Sequence, residues 1–141
     1  MTLGNATDYY VGPFFSLDHL KWLYLSSEGR LNRKRYWEAL FLLFFTMSVL
    51  IVVSSLFIFS AGSFGEVISP FLNAGTFISF VIAFILLLIK RAHDRDHSGW
   101  YILLWFVPLI GWFFHLELYF APGTDGQNQY GTDPRQPEWN G

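Results

Sequence analysis

The sequence predicts an all-α membrane protein with three transmembrane helices and a short amino-terminal interfacial helix. Apolar residues make up 52% of the 141 residues and aromatic residues 21%, whereas charged residues make up only 14%. A soluble domain of this length has too little interior to bury so much apolar surface. The charged residues are also crowded into short segments. The stretches between them reach the ~20 residues that a helix needs to cross a bilayer.

Residues 1–25 are expected to form a polar start followed by an amphipathic helix. Within residues 14–25, apolar side chains recur at helical spacing while Asp18 and Lys21 stay polar. Trp22 and Tyr24 favour the headgroup region of a bilayer, so this helix is expected to lie in the interface. A helix that packs on the protein's own cytoplasmic end fits the same pattern.

Residues 26–121 are expected to form the membrane domain, with spans at about 38–61, 71–90 and 100–121. Residues 39–61 carry no charge, which suits a transmembrane helix. The segment Gly62–Pro70 is predicted to be a short loop and Lys90–Gly99 a charged loop.

The third apolar segment contains Pro108 and Gly111 near its middle. Proline removes one helix hydrogen bond, which a membrane helix tolerates when neighbouring groups satisfy the backbone. A kinked span is therefore predicted, and a re-entrant hairpin that turns at these residues is the alternative. Residues 122–141 form a polar tail rich in Gly, Pro, Asn and Gln, for which turns or disorder are expected.

The topology follows from the nine Lys and Arg residues, because cations that flank transmembrane helices stay in the cytoplasm. If the chain crosses three times, all but Arg135 fall on one side: Lys21, Arg30, Arg33, Lys34, Arg35, Lys90, Arg91 and Arg95. The amino terminus is then cytoplasmic and the carboxyl terminus periplasmic or extracellular. A re-entrant third segment would instead return the tail to the cytoplasm.

Composition also excludes several classes of function. The net charge of −2 gives no basic field that would attract nucleic acid, so no nucleic-acid partner is expected. The absence of Cys excludes disulfides, thiolate metal sites and a catalytic thiol. No phosphate-cradling glycine loop or catalytic triad is evident, and no cofactor is expected.

The segment Arg91–Trp100 has three open interpretations. In the first, its arginines anchor the chain at the cytoplasmic surface and Ser98 caps the third helix. In the second, His93 and His97 bind a metal ion from one helical face, although no third ligand is evident. In the third, this segment and the basic segment before the first span together hold an anionic lipid headgroup.

Four motifs occur in order along residues 26–134. They are the basic segment Glu28–Trp37, the loop Arg91–Asp94 that closes with Ser98–Trp100, the element Pro108–Gly111 and the tail Gly126–Pro134. In this order they resemble the small bacterial inner-membrane proteins classed as domain of unknown function 805. The resemblance implies a location in the bacterial inner membrane and leaves the activity open.

The function expected from the residues is that of a non-enzymatic membrane protein. It would bind membrane lipids, a second copy of itself or another membrane protein, with Asp94 orienting Arg91 or Arg95. The alternatives are a small channel or accessory transport subunit, suggested by the broken third span and Glu117, and a metal-dependent membrane enzyme. The candidate residues are Arg30, Arg33, Arg35, Arg91, His93, Asp94, Arg95, Ser98 and Trp100, with Asn128, Tyr130, Gly131 and Asp133 in the tail.

Overall fold

The computed structural model describes residues 15–135 and is helical over most of that range. The elements are α1 (Leu17–Leu25), α2 (Arg33–Ala61), α3 (Ser63–Asp94), a 3₁₀ helix (Gly99–Phe106) and α4 (Ile110–Phe120). Within the described range, β pairing is limited to one isolated bridge between Asn128 and Gly131. The predicted all-α class is confirmed.

The helices α2 and α3 form a long apolar hairpin. Among the described residues, these are the two helices that are long and apolar enough to cross a membrane. Their large side chains point away from the protein: Phe41 is 75% exposed, Val52 57% and Phe59 90%. Such a surface suits contact with lipid chains, because soluble proteins do not expose apolar patches of this extent. The chain therefore has the character of a membrane protein, and the first two predicted spans lie within α2 and α3.

The predicted loop Gly62–Pro70 is wrong, because α3 begins directly after Gly62. Gly62 has φ +57°, a left-handed conformation that glycine adopts without steric cost and that lets the chain reverse in one residue. Pro70 lies inside α3, where the loss of a single backbone hydrogen bond does not end a membrane helix. A Cβ at Gly65 would come within 2.9 Å of Ile58 Cα, so the two helices are in close contact beside the turn.

Small polar and aromatic contacts join α2 to α3 along the hairpin. Ser54 Oγ donates to Asn73 Oδ1 at 2.7 Å, and the rings of Phe44 and Phe80 meet edge to face at 5.2 Å. Inside a bilayer, helices associate through hydrogen bonds and close packing. The hydrophobic effect does not drive this association, because the lipid chains are as apolar as the helix surfaces.

The buried core lies at the end of the hairpin where α2 begins and α3 ends, which we call the polar end. Leu23 of α1, Tyr36 of α2 and Leu87 of α3 are fully buried there. Lys90 of α3 is also fully buried, and its ammonium group donates to the carbonyls of Leu23, at 2.8 Å, and Trp22. These carbonyls lack intrahelical partners at the end of α1, so the lysine fixes α1 against the hairpin.

The predicted third transmembrane helix over residues 100–121 is not confirmed. The segment is divided into the 3₁₀ helix and α4 by Pro108, which has no amide hydrogen, and Leu109, which adopts φ +65°. The chain reverses here: Tyr101 Oη donates to Glu117 Oε2 at 2.9 Å. The two elements therefore form a second, antiparallel hairpin, which we call the short hairpin (residues 99–120).

The short hairpin returns the chain to the polar end. Arg30, which precedes α2, donates to the carbonyl of Thr124 at 2.7 Å, and Asn32 donates to that of Pro134 at 3.4 Å. The predicted placement of the two ends of the chain on opposite sides of the bilayer is therefore not confirmed. The tail forms turns over residues 122–135, and its last residues, 136–141, lie outside the described range, as do residues 1–14.

Candidate functional site

A buried cluster of two arginines and one aspartate lies at the centre of the polar end. Arg30 and Arg91 are 1% and 0% exposed, and Asp94 is 2% exposed. Asp94 Oδ1 accepts from Arg30 Nε and Nη2, both at 3.3 Å, while Oδ2 accepts from Arg91 Nη1. One carboxylate thus binds two guanidinium groups, one from the segment before α2 and one from the end of α3.

The remaining donors of Arg30 bind the tail. Its guanidinium group donates to the carbonyls of Thr124 at 2.7 Å, Gly126 at 2.6 Å and Gly131 at 3.3 Å. A guanidinium group has five N–H donors in a fixed fork, and here they engage one carboxylate and several backbone carbonyls. Arg30 therefore fixes the tail to the end of the hairpin.

The arginines of α3 and the loop after it bind the end of the short hairpin. Arg91 Nε donates to the carbonyl of Leu118 at 2.8 Å, and its Nη2 donates to that of Ala121. Arg95 forms an ion pair with Glu117 and donates to the carbonyl of Pro122 at 2.6 Å. The carbonyls of Leu118 and Ala121 lie at the end of α4 and have no further helix amides to bind, so Arg91 acts as its carboxyl-terminal cap. Arg95 binds the chain just beyond the helix.

The tail approaches Asp94 so closely that only glycine fits at position 123. A Cβ at Gly123 would overlap the Asp94 carboxylate. The next residue, Thr124, donates from its amide to the carbonyl of Asp94 at 2.8 Å. The aspartate therefore contacts the tail through both its side chain and its backbone.

The predicted loop Lys90–Gly99 is wrong in its first half, because α3 continues to Asp94 and includes His93, while His97 lies after the helix. The two histidines have different partners. His93 stacks on Tyr130 with ring centroids 3.8 Å apart, and His97 stacks on Tyr101 at 4.2 Å. Helix α3 ends at Asp94, so the helical spacing that would direct both imidazoles to one metal ion does not continue to His97. Within residues 15–135, no group of three His, Cys, Asp or Glu side chains is placed to hold a metal ion.

The candidate residues of the tail form a turn beneath these groups. Asn128 and Gly131 exchange backbone hydrogen bonds of 3.0 and 3.2 Å. The side-chain Nδ2 of Asn128 donates to the carbonyl of His93 at 2.9 Å. Asp133 accepts from the backbone amide of Gly126 at 3.1 Å and from Arg135. The Arg135 side chain lowers the pKa of Asp133 to about 2, because it favours the charged carboxylate. The turn is therefore held by a permanently ionised group at neutral pH.

Other candidate residues lie at the surface of the polar end. Arg35 pairs with Glu38 at 3.5 Å, and Trp100 is 78% exposed. Ser98 precedes the 3₁₀ helix, but its side chain makes no capping hydrogen bond, so its predicted capping role is not confirmed. Arg33 is exposed and donates to the carbonyl of Phe120 at 3.0 Å.

A cleft of about 300 Å³ opens between the start of α2 and the tail, and we call it the basic cleft. Its lining consists of Asn32, Arg33, Lys34, Asp94, Pro122, Gly123 and Arg135. Arg33 and Asp94 are among the site residues predicted from the sequence, whereas Lys34, Gly123 and Arg135 are not. Arg135 could have been identified from the sequence, because it is the single Lys or Arg residue of the tail.

The model of a family described as a protein of unknown function, DUF805, matches residues 24–132 of the chain. The chain belongs to this family. It is 35% identical over 112 residues to the inner membrane protein YhaI of Escherichia coli strain K12, covering 79% of the chain and 88% of that protein. It is 30% identical over 119 residues to the inner membrane protein YhaH of the same strain, covering 79% and 89%. No solved structure matches the chain.

The matched family confirms the resemblance inferred from the four motifs. The matched residues include the basic segment, the loop after α3, the short hairpin and the tail turn. In the structure, the basic segment, the end of α3 and the tail come together at the polar end through Arg30, Asp94 and Thr124. Three of the four motifs on which the resemblance was inferred therefore contribute to this end of the molecule.

Proposed function

We propose that this protein is a non-enzymatic protein of the bacterial inner membrane whose polar end lies at the cytoplasmic surface and binds anionic phospholipid. The observation that carries the proposal is the distribution of charge. All nine Lys and Arg residues lie at the polar end, whereas the turn at the opposite end of the hairpin carries Glu66 as its charged residue. Cations flanking membrane helices favour the cytoplasmic side.

This arrangement supports a topology in which α2 and α3 cross the bilayer and the short hairpin enters and leaves from the cytoplasmic side. The tip of the short hairpin is apolar and exposed, with Phe106 at 83% and Leu109 at 88%. Residues 107–109 are irregular backbone, which is tolerated at membrane depth where protein or water satisfies its polar groups. The two described ends of the chain would both face the cytoplasm.

The buried and exposed cations have different parts in the proposal. Arg30 and Arg91 are engaged with Asp94 and with backbone carbonyls, so their contribution is to hold the polar end together. Lys21, Arg33 and Lys34 are exposed, and each cation near an anionic leaflet contributes about 1 kcal/mol of attraction. These three are the residues expected to contact lipid.

The test compares anionic with zwitterionic lipid bound to the purified chain by native mass spectrometry in mild detergent. The wild type is expected to retain anionic phospholipid in preference to phosphatidylethanolamine. Lys21→Gln, Arg33→Gln and Lys34→Gln together are expected to lose about 1 kcal/mol of attraction for each cation removed. The matched control exchanges the same three residues between Lys and Arg, which keeps the charge and should keep the preference. Equal retention of both lipid classes by the wild type would refute lipid binding.

A further inference from the structure

The basic cleft is lined by three of the cations that a phosphate site requires. Two of its walls come from the first turn of α2, through Arg33 and Lys34, and from the tail, through Arg135. Asp94, in the same lining, is already bound by Arg30 and Arg91. The carboxylate therefore does not cancel the positive charge of the walls.

The cations of the cleft differ in how much of their charge is already balanced. Arg135 pairs with Asp125 at 2.5 Å and with Asp133 at 2.9 Å. Within residues 15–135, neither Arg33 nor Lys34 forms an ion pair with a carboxylate. A ligand with a charge of about −2 would therefore neutralise Arg33 and Lys34.

The backbone at the start of α2 adds donors to the same cleft. The first four amides of a helix have no intrahelical acceptor, and they form the positive end of the helix dipole. At α2, Asn32 Oδ1 accepts from the amide of Arg35 at 2.9 Å, and its carbonyl accepts from that of Tyr36 at 2.9 Å. The amides of Arg33 and Lys34 precede these two at the amino terminus of α2. Both residues line the cleft, and the amino terminus of a helix is a favourable position for an anion.

We propose that the basic cleft binds a phosphate monoester, presented at the membrane surface by a lipid headgroup of the phosphatidic acid type. A phosphate monoester carries about −1.5 to −2 charges at neutral pH and three acceptor oxygens, more than the single charge of a phosphodiester. Arg33, Lys34 and the helix amides supply the matching charge and donors. The inference rests on the proposed function, because it names the headgroup that the exposed cations would recognise.

The surface below the cleft favours a lipid over a soluble phosphate as the source. Arg33, Trp37 and Phe41 follow one another at intervals of four residues along α2, so they lie on one face of the helix. Trp37 is 42% exposed and Phe41 75% exposed, and the Trp37 ring meets that of Phe120 at 5.9 Å. Acyl chains attached to a phosphate in the cleft would lie along this aromatic face.

The test uses the full chain in phosphatidylcholine nanodiscs that contain either phosphatidic acid or phosphatidylglycerol at equal mole fraction. Binding of each lipid is measured for the wild type, for Arg33→Gln with Lys34→Gln, and for Lys21→Gln. Lys21 is an exposed cation of α1 at the same end of the molecule but outside the cleft. Glycerol 3-phosphate is added in a separate arm as a soluble competitor. Thermal unfolding of each variant establishes that it is folded.

The wild type is expected to prefer phosphatidic acid, and each cleft cation removed should weaken that binding about fivefold. Lys21→Gln, which removes a cation outside the cleft, should weaken the binding of both lipids to the same extent and so leave the preference for phosphatidic acid unchanged. Equal binding of the two lipids by the wild type, or a loss of the preference in Lys21→Gln as large as in the cleft variant, would overturn the cleft as the site while leaving general anionic-lipid binding intact. Absence of binding to either lipid would refute the proposed function itself. Binding of glycerol 3-phosphate by a chain that ignores both lipids would retain the phosphate site and refute the lipid as its source.

Discussion

Asp94 is the residue on which the charge balance of the polar end depends. It is a single buried carboxylate between the guanidinium groups of Arg30 and Arg91. Removing charges from water costs several kcal/mol for each ion, and the cost is recovered only when counter-ions and hydrogen bonds are in place. Here the carbonyls of Thr124, Gly126 and Leu118 supplement the one carboxylate.

Asp94→Asn is therefore expected to destabilise the protein by roughly 3–5 kcal/mol, because two buried guanidinium groups lose their only carboxylate partner in the cluster. Thermal unfolding in detergent, followed by circular dichroism, measures the loss. The control is Asp125→Asn, since the Asp125 side chain is 94% exposed and such surface changes shift stability by less than about 0.5 kcal/mol. A loss no greater for Asp94→Asn than for the control would contradict the central role of the cluster.

One of the two ion pairs of this cluster can be predicted from the sequence. Asp94 was expected to orient Arg91 or Arg95, and it does bind Arg91, which is three residues away on the same helix. The contact with Arg30 spans 64 positions, and no local pattern predicts which distant cation completes such a pair. Arg95 pairs with Glu117 instead, because the short hairpin folds back and brings α4 next to the end of α3.

At the scale of the elements, α2 and α3 can be predicted from hydropathy. An uncharged apolar segment long enough to cross a bilayer satisfies its own backbone hydrogen bonds by forming a helix. The short hairpin cannot be predicted from hydropathy. A segment that crosses the membrane and one that enters and returns need the same apolar composition. The difference lies in backbone geometry at Leu109, whose φ of +65° is not evident from a leucine in the sequence.

Gly111 is the residue that allows the two arms of the short hairpin to approach. A Cβ at this position would lie 2.5 Å from the carbonyl oxygen of Leu104 and 2.8 Å from that of Trp105. These atoms belong to the backbone and cannot move without shifting the 3₁₀ helix. The sequence predicts this glycine as part of a kinked span or of the turn of a re-entrant hairpin, and it does not indicate this close contact.

Gly111→Ala is expected to destabilise the protein by about 1–3 kcal/mol, the usual cost of forcing extra atoms into a packed site. The matched control is Gly75→Ala in α3, where an added Cβ meets nothing within 4 Å. That change should stabilise the protein by about 0.5–1 kcal/mol through helix propensity. Thermal unfolding of the two variants in the same detergent measures both effects. Shifts of the same sign would contradict the close approach at Gly111.

At the scale of the whole molecule, the fold separates charge from apolar surface along the axis of the long hairpin. Counting cations alone allowed two topologies, because Arg135 could lie on either side. The structure brings Arg135 to Thr124 and Asp133 at the polar end, and thereby unites all nine cations on one side of the proposed membrane plane. A single side for every cation is the arrangement that the positive-inside preference favours most strongly.

This topology predicts how single cysteines will react with a membrane-impermeant thiol reagent applied to intact cells. The chain has no native Cys, so each introduced thiol is observed without background. Ser63→Cys, at the exposed turn between α2 and α3, should react from outside the inner membrane. Asp125→Cys, in the exposed part of the tail, should react only after the membrane is permeabilised. Reaction of Asp125→Cys in intact cells would show that the segment 99–120 crosses the bilayer, and it would remove the basis for placing the tail and the basic cleft at the cytoplasmic surface.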